Sequence, residues 1–276
     1  MTAVGKVVSG AGFRHARFFA LGSDGAVVVA TAGATGYEGM LAQGASSLTP
    51  NFAEPEVITH YGDDNVFAAD TLPPTEVGTI DFKTSKSNLD LDAMLQGVKV
   101  NTIGDMQVMG MGTDQQGREP LVGLFAYRQA LDTDESSPTF GSRRWKYMVV
   151  PKAHAIPKGG AMEKSAGDEN GYTIQPTPSK THLWGAEYTK AADGYTRGKV
   201  SFGITEKEPN VVAWKGDGTV TVFNLPTDKP AASAAKVYFW VDGEYKPTGP
   251  TASATAITFL TAPAAGVIIF CLYEMA

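Results

Sequence analysis

One cysteine, four histidines and no long apolar run set the first limits on this chain of 276 residues. Cys271 alone excludes an internal disulfide and any zinc site built from several thiolates. Set in a strand-like run, it reads as a small buried hydrophobe rather than a reactive thiol. His15, His60, His154 and His182 show no metal-type spacing and no HExxH. The nucleophile-elbow, P-loop and Cys-x-x-Cys patterns are missing too. Gly10-Ala11-Gly12 lacks the third glycine and the following helix that would hold a pyrophosphate. Apolar runs fall short of the roughly 20 residues that span a bilayer, so no membrane insertion is expected. The opening MTAVGKVVSGAGFRHARFF lacks the apolar core and cleavage site of a secretory signal, which predicts synthesis in a reducing cytoplasm.

Basic charge is the minority, with 23 basic side chains against 29 acidic ones and a formal net charge of −6. Tight nucleic-acid binding draws on a clustered cationic face that neutralises phosphates. The one dense basic point, Arg143 and Arg144 with Lys146 and Lys152, reads as a solvated strand face. What the chain has in quantity is glycine (31) and proline (16) among many Val, Thr and Tyr, the make-up of β structure with frequent turns. Its length is great for one core and comfortable for two.

The most complete local signal runs from Thr75 to Val100. Val77, Ile80 and Phe82 are spaced among polar residues, as on a partly buried strand. Leu91, Met94, Leu95 and Val98 then recur at i, i+3, i+4 and i+7, the packing stripe of a helix laid on a β body. Ser87 and Asp90 predict a capping box. Asp90 and Asp92 suit the positive end of the helix dipole, and Gly97 predicts a left-handed stop.

Ahead of that stretch, residues 31–74 are weakly patterned and broken by glycine and proline, yet they hold Tyr37, Met40, Leu41, Leu48 and Phe52. So long a connection is either functional or disordered, and these side chains predict a loop that packs onto something, another subunit included. Val27 to Ala30 reads as a short buried strand. Val57 to Tyr61 and Val66 to Ala69 are short strands flanking the turn Gly62-Asp63-Asp64-Asn65. Leu121 to Arg128 and Arg143 to Val150 predict a long hairpin. Its acidic tip (Asp132, Asp134, Glu135) reads as a solvated turn, because a calcium loop needs a fuller ligand series. Tyr172 to Gln175, Thr181 to Tyr188 and Lys199 to Thr205 complete a first β domain.

A polar break around Pro209 divides the chain into domains 1–208 and 209–276. In the second, Val211 to Trp214, Thr219 to Phe223, Lys236 to Val241, Ala256 to Leu260 and Val267 to Tyr273 predict a small Ig-like β-sandwich. Asp242-Gly243 marks a tight turn.

Chemistry is sparse. Glu54 with Glu56, or Asp63 with Asp64, could serve as a glycosidase pair, but sequence neighbours rarely face each other across a substrate. Trp145, Trp184, Trp214 and Trp240 all lie in strand-like runs, either as a sugar-stacking row or, the favoured reading, as core filling. The expectation is a protein that is not an enzyme, with no catalytic residue, metal or cofactor.

Taken in order, ARFFALGSDG (16–25), TGYEGM (35–40), GDDNVFAADTLPP (62–74), SKSNLDLDAMLQG (85–97), YRQALDTDE (127–135), GSRRWKYMVVPKA (141–153) and HLWGAEYT (182–189) resemble a known family. It is that of the tail tube, or major tail, proteins of bacteriophages with long flexible tails. The likeness covers most of residues 10–205. KVYFWVDGEYKPTG and ITFLTAPAAG are similar to small β domains appended to phage virion proteins.

The resemblance implies a mainly β fold, a sandwich or half-barrel with one packed helix. It implies copies joined in rings, usually hexameric, stacked into a hollow tube that conducts the genome. The implied partners are the chain itself, the tape measure, terminator and tail-tip proteins, and DNA in non-specific transit. The location would be the virion tail, after synthesis in the host bacterial cytoplasm. The family's inter-ring loop falls within about 36–74, so Tyr37, Met40, Leu41, Leu48, Phe52, Asp63 and Asp64 are the expected contacts between subunits or rings. Residues 209–276 would decorate the tube exterior as an independent fold, dispensable for assembly. Open sheet edges sealed by neighbouring copies suit such a role, and a carboxylate-rich bore would repel DNA phosphates. The alternatives are a surface adhesin or carbohydrate-binding β module, disfavoured by the missing signal and disulfides, and a β hydrolase with an acidic pair.

Overall fold

Frequent glycine and proline turns break the chain into antiparallel strands. The computed structural model describes residues 8–51, 56–62, 65–72, 78–86, 88–110, 119–158, 170–177, 200–246 and 249–276. In chain order the strands begin with β1 (Val8–Ala20), β2 (Met40–Leu41), β3 (Ala45–Asn51), β4 (Glu56–Gly62), β5 (Asn65–Leu72) and β6 (Thr79–Thr84). After the helix α1 (Leu89–Gln96) come β7 (Val100–Ile103), β8 (Met106–Met109), β9 (Leu121–Asp132), β10 (Arg143–Lys158), β11 (Asn170–Pro176) and β12 (Ser201–Thr205). The last part holds β13 (Pro209–Lys215), β14 (Val222–Asn224), β15 (Val237–Val241), β16 (Glu244–Tyr245), β17 (Thr251–Ala252), β18 (Ala256–Thr258) and β19 (Ile268–Glu274).

The main sheet has the order β2-β1-β9-β10-β11-β6-β3, and β12 also pairs with β10. The long hairpin expected around residues 121–150 is its centre, with Tyr127 opposite Tyr147. Strands β2 and β3 stand at opposite ends of this order, although only Ala42, Gln43 and Gly44 separate them. The sheet therefore curls until its borders approach. Ala42 N–H donates to the Ala16 carbonyl (2.9 Å), and Ser85 N–H donates to that of Gly44 (2.8 Å). Inside the curl lie Phe18, Ile80, Phe82, Leu124, Val150 and Ile174, covered by Leu91 and Leu95 of α1.

The helix is capped one residue later than expected and stops at Gly97 as expected, which leaves Val98 off it. Its cap is Asn88, whose Oδ1 accepts the Leu91 amide at 3.3 Å; Ser87 lies outside the described residues. Asn caps as well as Ser, so a one-residue shift loses nothing. Gly97 does adopt the left-handed conformation (φ 69°), and this ends the helix before Val98. Val98 is therefore half-buried beyond the stop, while Leu91 and Leu95 are fully buried and Met94 packs at the margin.

The second half of the chain forms a sheet of order β13-β19-β15-β16 and a smaller one of order β14-β18-β17. β12 belongs to the main sheet and β13 to the next, so the change of sheet falls at the expected boundary. Burial does not respect that boundary. One face of the β13-β19-β15 sheet carries Val212, Trp214, Phe239, Ile269 and Cys271 against Phe223 and Ile257 of the small sheet. The other carries Val211, Ala213, Trp240, Phe270 and Leu272 against Phe19, Phe125, Tyr127 and Val149 of the main sheet. Every residue of β19 is buried. Helix, main sheet, middle sheet and small sheet are thus stacked in four layers, and the C-terminal part is not a detached decoration.

Three smaller expectations also change. Val27 to Ala30 is no strand: Val27 makes one isolated bridge to Leu21, and Val28 is exposed. The acidic tip is organised around a buried residue, because Asp132 accepts the Ser137 (2.9 Å) and Thr139 (2.7 Å) hydroxyls. Arg144 is buried beside it, with a nitrogen 3.8 Å from the carboxylate, so only Arg143 of that basic pair lies on a solvated face. Thr181 to Tyr188, with Trp184, lies outside the described residues.

Candidate interaction surfaces

The weakly patterned segment after residue 30 packs within its own chain. Gly33 N–H donates to the Lys215 carbonyl (2.9 Å), and Tyr37 exchanges backbone hydrogen bonds with Ala213 (2.7 and 2.8 Å). Residues 33–37 therefore form a strap along β13, satisfying backbone groups at the border of the middle sheet. Gly36 makes the close approach possible, since a Cβ there would lie 2.4 Å from Val212 Cγ1 and 2.9 Å from Trp214 Nε1. The Tyr37 ring meets Phe19 edge-on at 5.7 Å.

Glu38 locks the strap. Its carboxylate accepts from Asn210 Nδ2 (2.7 Å) and from Lys229 Nζ (2.8 and 2.9 Å), with Arg17 at 3.6 Å. Burial alone would push this carboxyl up, but the Lys229 and Asn210 hydrogen bonds, with the Arg17 and Lys229 charges, hold it below the ordinary value. Tyr273 accepts from Asn210 at 2.8 Å and donates to the Lys229 carbonyl at 2.9 Å. A second tie joins Tyr127 Oη to Glu208 at 2.8 Å.

Four of the expected contact residues are thereby placed. Tyr37 is used against the chain's own middle sheet. Met40 and Leu41 pair with Phe18 and Arg17, and Leu48 stands opposite Phe82. Phe52, Asp63 and Asp64 lie outside the described residues. A signal for the missed contact was present: Val211 to Trp214 and Ile268 to Tyr273 are continuous apolar runs, which mark strands buried on both faces.

Two hairpins stand apart from the larger sheets. β4 pairs only with β5, and β7 only with β8, among the described residues. Three apolar side chains near the tip of β7–β8 point outward: Ile103 is 60 % exposed, Met106 64 % and Val108 41 %, while Val100 and Met109 at its base are half-buried. Asp105, also exposed, sits between Ile103 and Met106 beside the left-handed Gly104.

A cleft of about 310 Å³ lies elsewhere, where β12 meets β10. Leu48, Pro50, Met148 and Phe202 supply its apolar wall, and Arg128 and Lys146 its charge. Those two cations stand directly opposite each other on β9 and β10. Lys146 Nζ lies 5.3 Å from the centre of the Phe202 ring, which is itself 47 % exposed.

His154 Nδ1 lies 2.9 Å from the Glu119 carbonyl, and His15 packs against Tyr127. No cluster of three or more His, Cys, Asp or Glu able to hold a metal exists among the described residues. Trp214 and Trp240 are buried, and Trp145 packs edge-on against Tyr127, so these three fill cores instead of forming a row. Among the described residues no helix is long and apolar enough to cross a membrane. No family model matches the chain, and no curated protein matches it either.

Proposed function

We propose that this chain is a structural protein that assembles with copies of itself, and that the assembly is a bacteriophage tail tube. The observation that carries the reading is the pair of stand-off hairpins, one with an apolar face turned to solvent. Contiguous exposed apolar groups on a hairpin that pairs with no other strand among the described residues suit a protein contact. The curled main sheet with one helix against it agrees with the architecture that the sequence resemblance implies. A head-to-tail contact with a closing rotation turns such a subunit into a ring, and rings stack. In this reading the partners are further copies, the tape measure, terminator and tail-tip proteins, and genomic DNA in passage. The chain works in the virion tail after synthesis in the bacterial cytoplasm.

The test is negative-stain microscopy of the purified protein over a range of concentrations. Rings or tubes with a central channel are the expected result. A monodisperse monomer at every concentration, or a monomer that binds glycans, would overturn the proposal.

A further inference from the structure

Resting on the self-assembly reading, we propose that the β7–β8 tip of one copy docks in the Arg128–Lys146 cleft of another. Like charges directly opposite on neighbouring strands destabilise a sheet, and Arg128 faces Lys146 in this way. An anionic group delivered from outside relieves that repulsion. The walls around the two cations are apolar, with Leu48, Pro50, Met148 and Phe202, so the fitting ligand carries hydrophobic groups beside its acid.

The β7–β8 tip has that composition. Asp105 is flanked by Ile103 and Met106, the two most exposed large apolar side chains of the hairpin. Gly104, at φ 62°, makes the tight turn that brings all three to one end of a narrow ribbon. The cleft, at about 310 Å³, lies at the lower end of the range in which proteins seat small groups. Acid meets paired cations, and apolar tip meets apolar wall.

A second copy is the occupant because both halves of the contact are present on each chain. The hairpin tip is exposed, so it does not fill its own molecule's cleft. Tip and cleft are different patches, which makes the contact heterologous and able to close a ring or extend a stack.

Full-length protein carrying Asp105→Lys, Lys146→Glu or both is the test, with association followed by sedimentation velocity and folding checked by thermal melting. Each single reversal is expected to weaken association roughly tenfold or more, since it sets like charges against each other. The double variant recovers most of the loss. As a direct readout, Asp105→Cys protein mixed with Lys146→Cys protein should form a mixed disulfide; the native Cys271 is fully buried and does not compete.

The outcomes separate the two claims. A wild-type chain that never associates removes the self-assembly reading and this contact with it. A wild type that assembles while both single reversals assemble equally well overturns the docking alone. So does a double variant no better than the worse single one, or a mixture that gives no cross-link.

Discussion

Removing residues 209–276 tests the central packing result most directly. A dispensable outer decoration would leave residues 1–208 folded and able to polymerise. The shared core argues the reverse. Phe19, Leu21, Val27, Val29, Phe125, Tyr127 and Val149 of the first part share one buried cluster with Val211, Ala213, Trp240, Phe270 and Leu272. Exposing a fully buried side chain of this kind loses about 1.5–3 kcal/mol. If truncation uncovers even half of the surface of those seven, roughly 5–10 kcal/mol disappears. That is comparable to the whole stability of an ordinary domain, about 5–15 kcal/mol. The strap over residues 33–37 would also lose its backbone partners on β13, and Glu38 would lose Asn210 and Lys229. The 1–208 fragment is therefore expected to be insoluble, or to bind a hydrophobic dye strongly and melt without a cooperative transition. A soluble fragment with a sharp melt and no dye binding would show that residues 1–208 fold without the rest of the chain.

Glu38→Gln should destabilise the chain by about 1–3 kcal/mol at pH 7 in urea titrations, the scale of hydrogen bonds to a charged group. Because the folded Glu38 pKa is depressed, its stabilisation is present above the unfolded value near pH 4.3 and lost as pH falls through the folded one, so the gap to wild type should close in acid. Asp92 should show the opposite sign. Burial pushes its carboxyl up more than the Tyr172 hydrogen bond pulls it down, so stability falls as pH rises from about 3.9 through the folded pKa. Asp92→Asn keeps an acceptor for Tyr172 and should raise the melting temperature at pH 7 but not at pH 3.5; an equal effect at both would reject this account. Gly36→Val should cost about 1–3 kcal/mol by forcing the strap off Val212 and Trp214, with a matching change in tryptophan fluorescence. An unchanged spectrum and melt would show that the strap is not held as described.

Features written within a few residues of one another were legible in the sequence. The β9–β10 hairpin followed from two strand-forming runs on either side of a turn-rich tip, Gly97 from its place after an apolar stripe, and the Asp242-Gly243 turn from its residue pair, both of which take positive φ (50° and 79°). Features that depend on register were not. Nothing in the strings around Arg128 and Lys146 says that they face each other, because the pairing is fixed by the length of the 132–142 tip between them. Asp132 looked solvated because its partners Ser137, Thr139 and Arg144 are ordinary surface residue types that only the folded tip brings together. The edge strands β2 and β3 escaped notice for a different reason: one has two residues, the other contains Pro50, and both are separated by Gly44.

The middle sheet shows how a sequence signal can be present and still be assigned the wrong depth. A strand of a free-standing two-layer sandwich turns one face to water, so its side chains should alternate between apolar and polar. Ile268 to Tyr273 does not alternate, and neither does Val211 to Trp214. A small sandwich accounts for one apolar face of each strand, through Phe223 and Ile257. The second apolar face requires another layer, and the residues available to supply it were Phe19, Phe125 and Tyr127, on alternate positions of two strands whose other face already holds Phe18, Leu124 and Ala126. Both sheets are thus apolar on two faces, and each provides the cover that the other lacks. That mutual requirement is what joins the two parts of the chain into one folded unit.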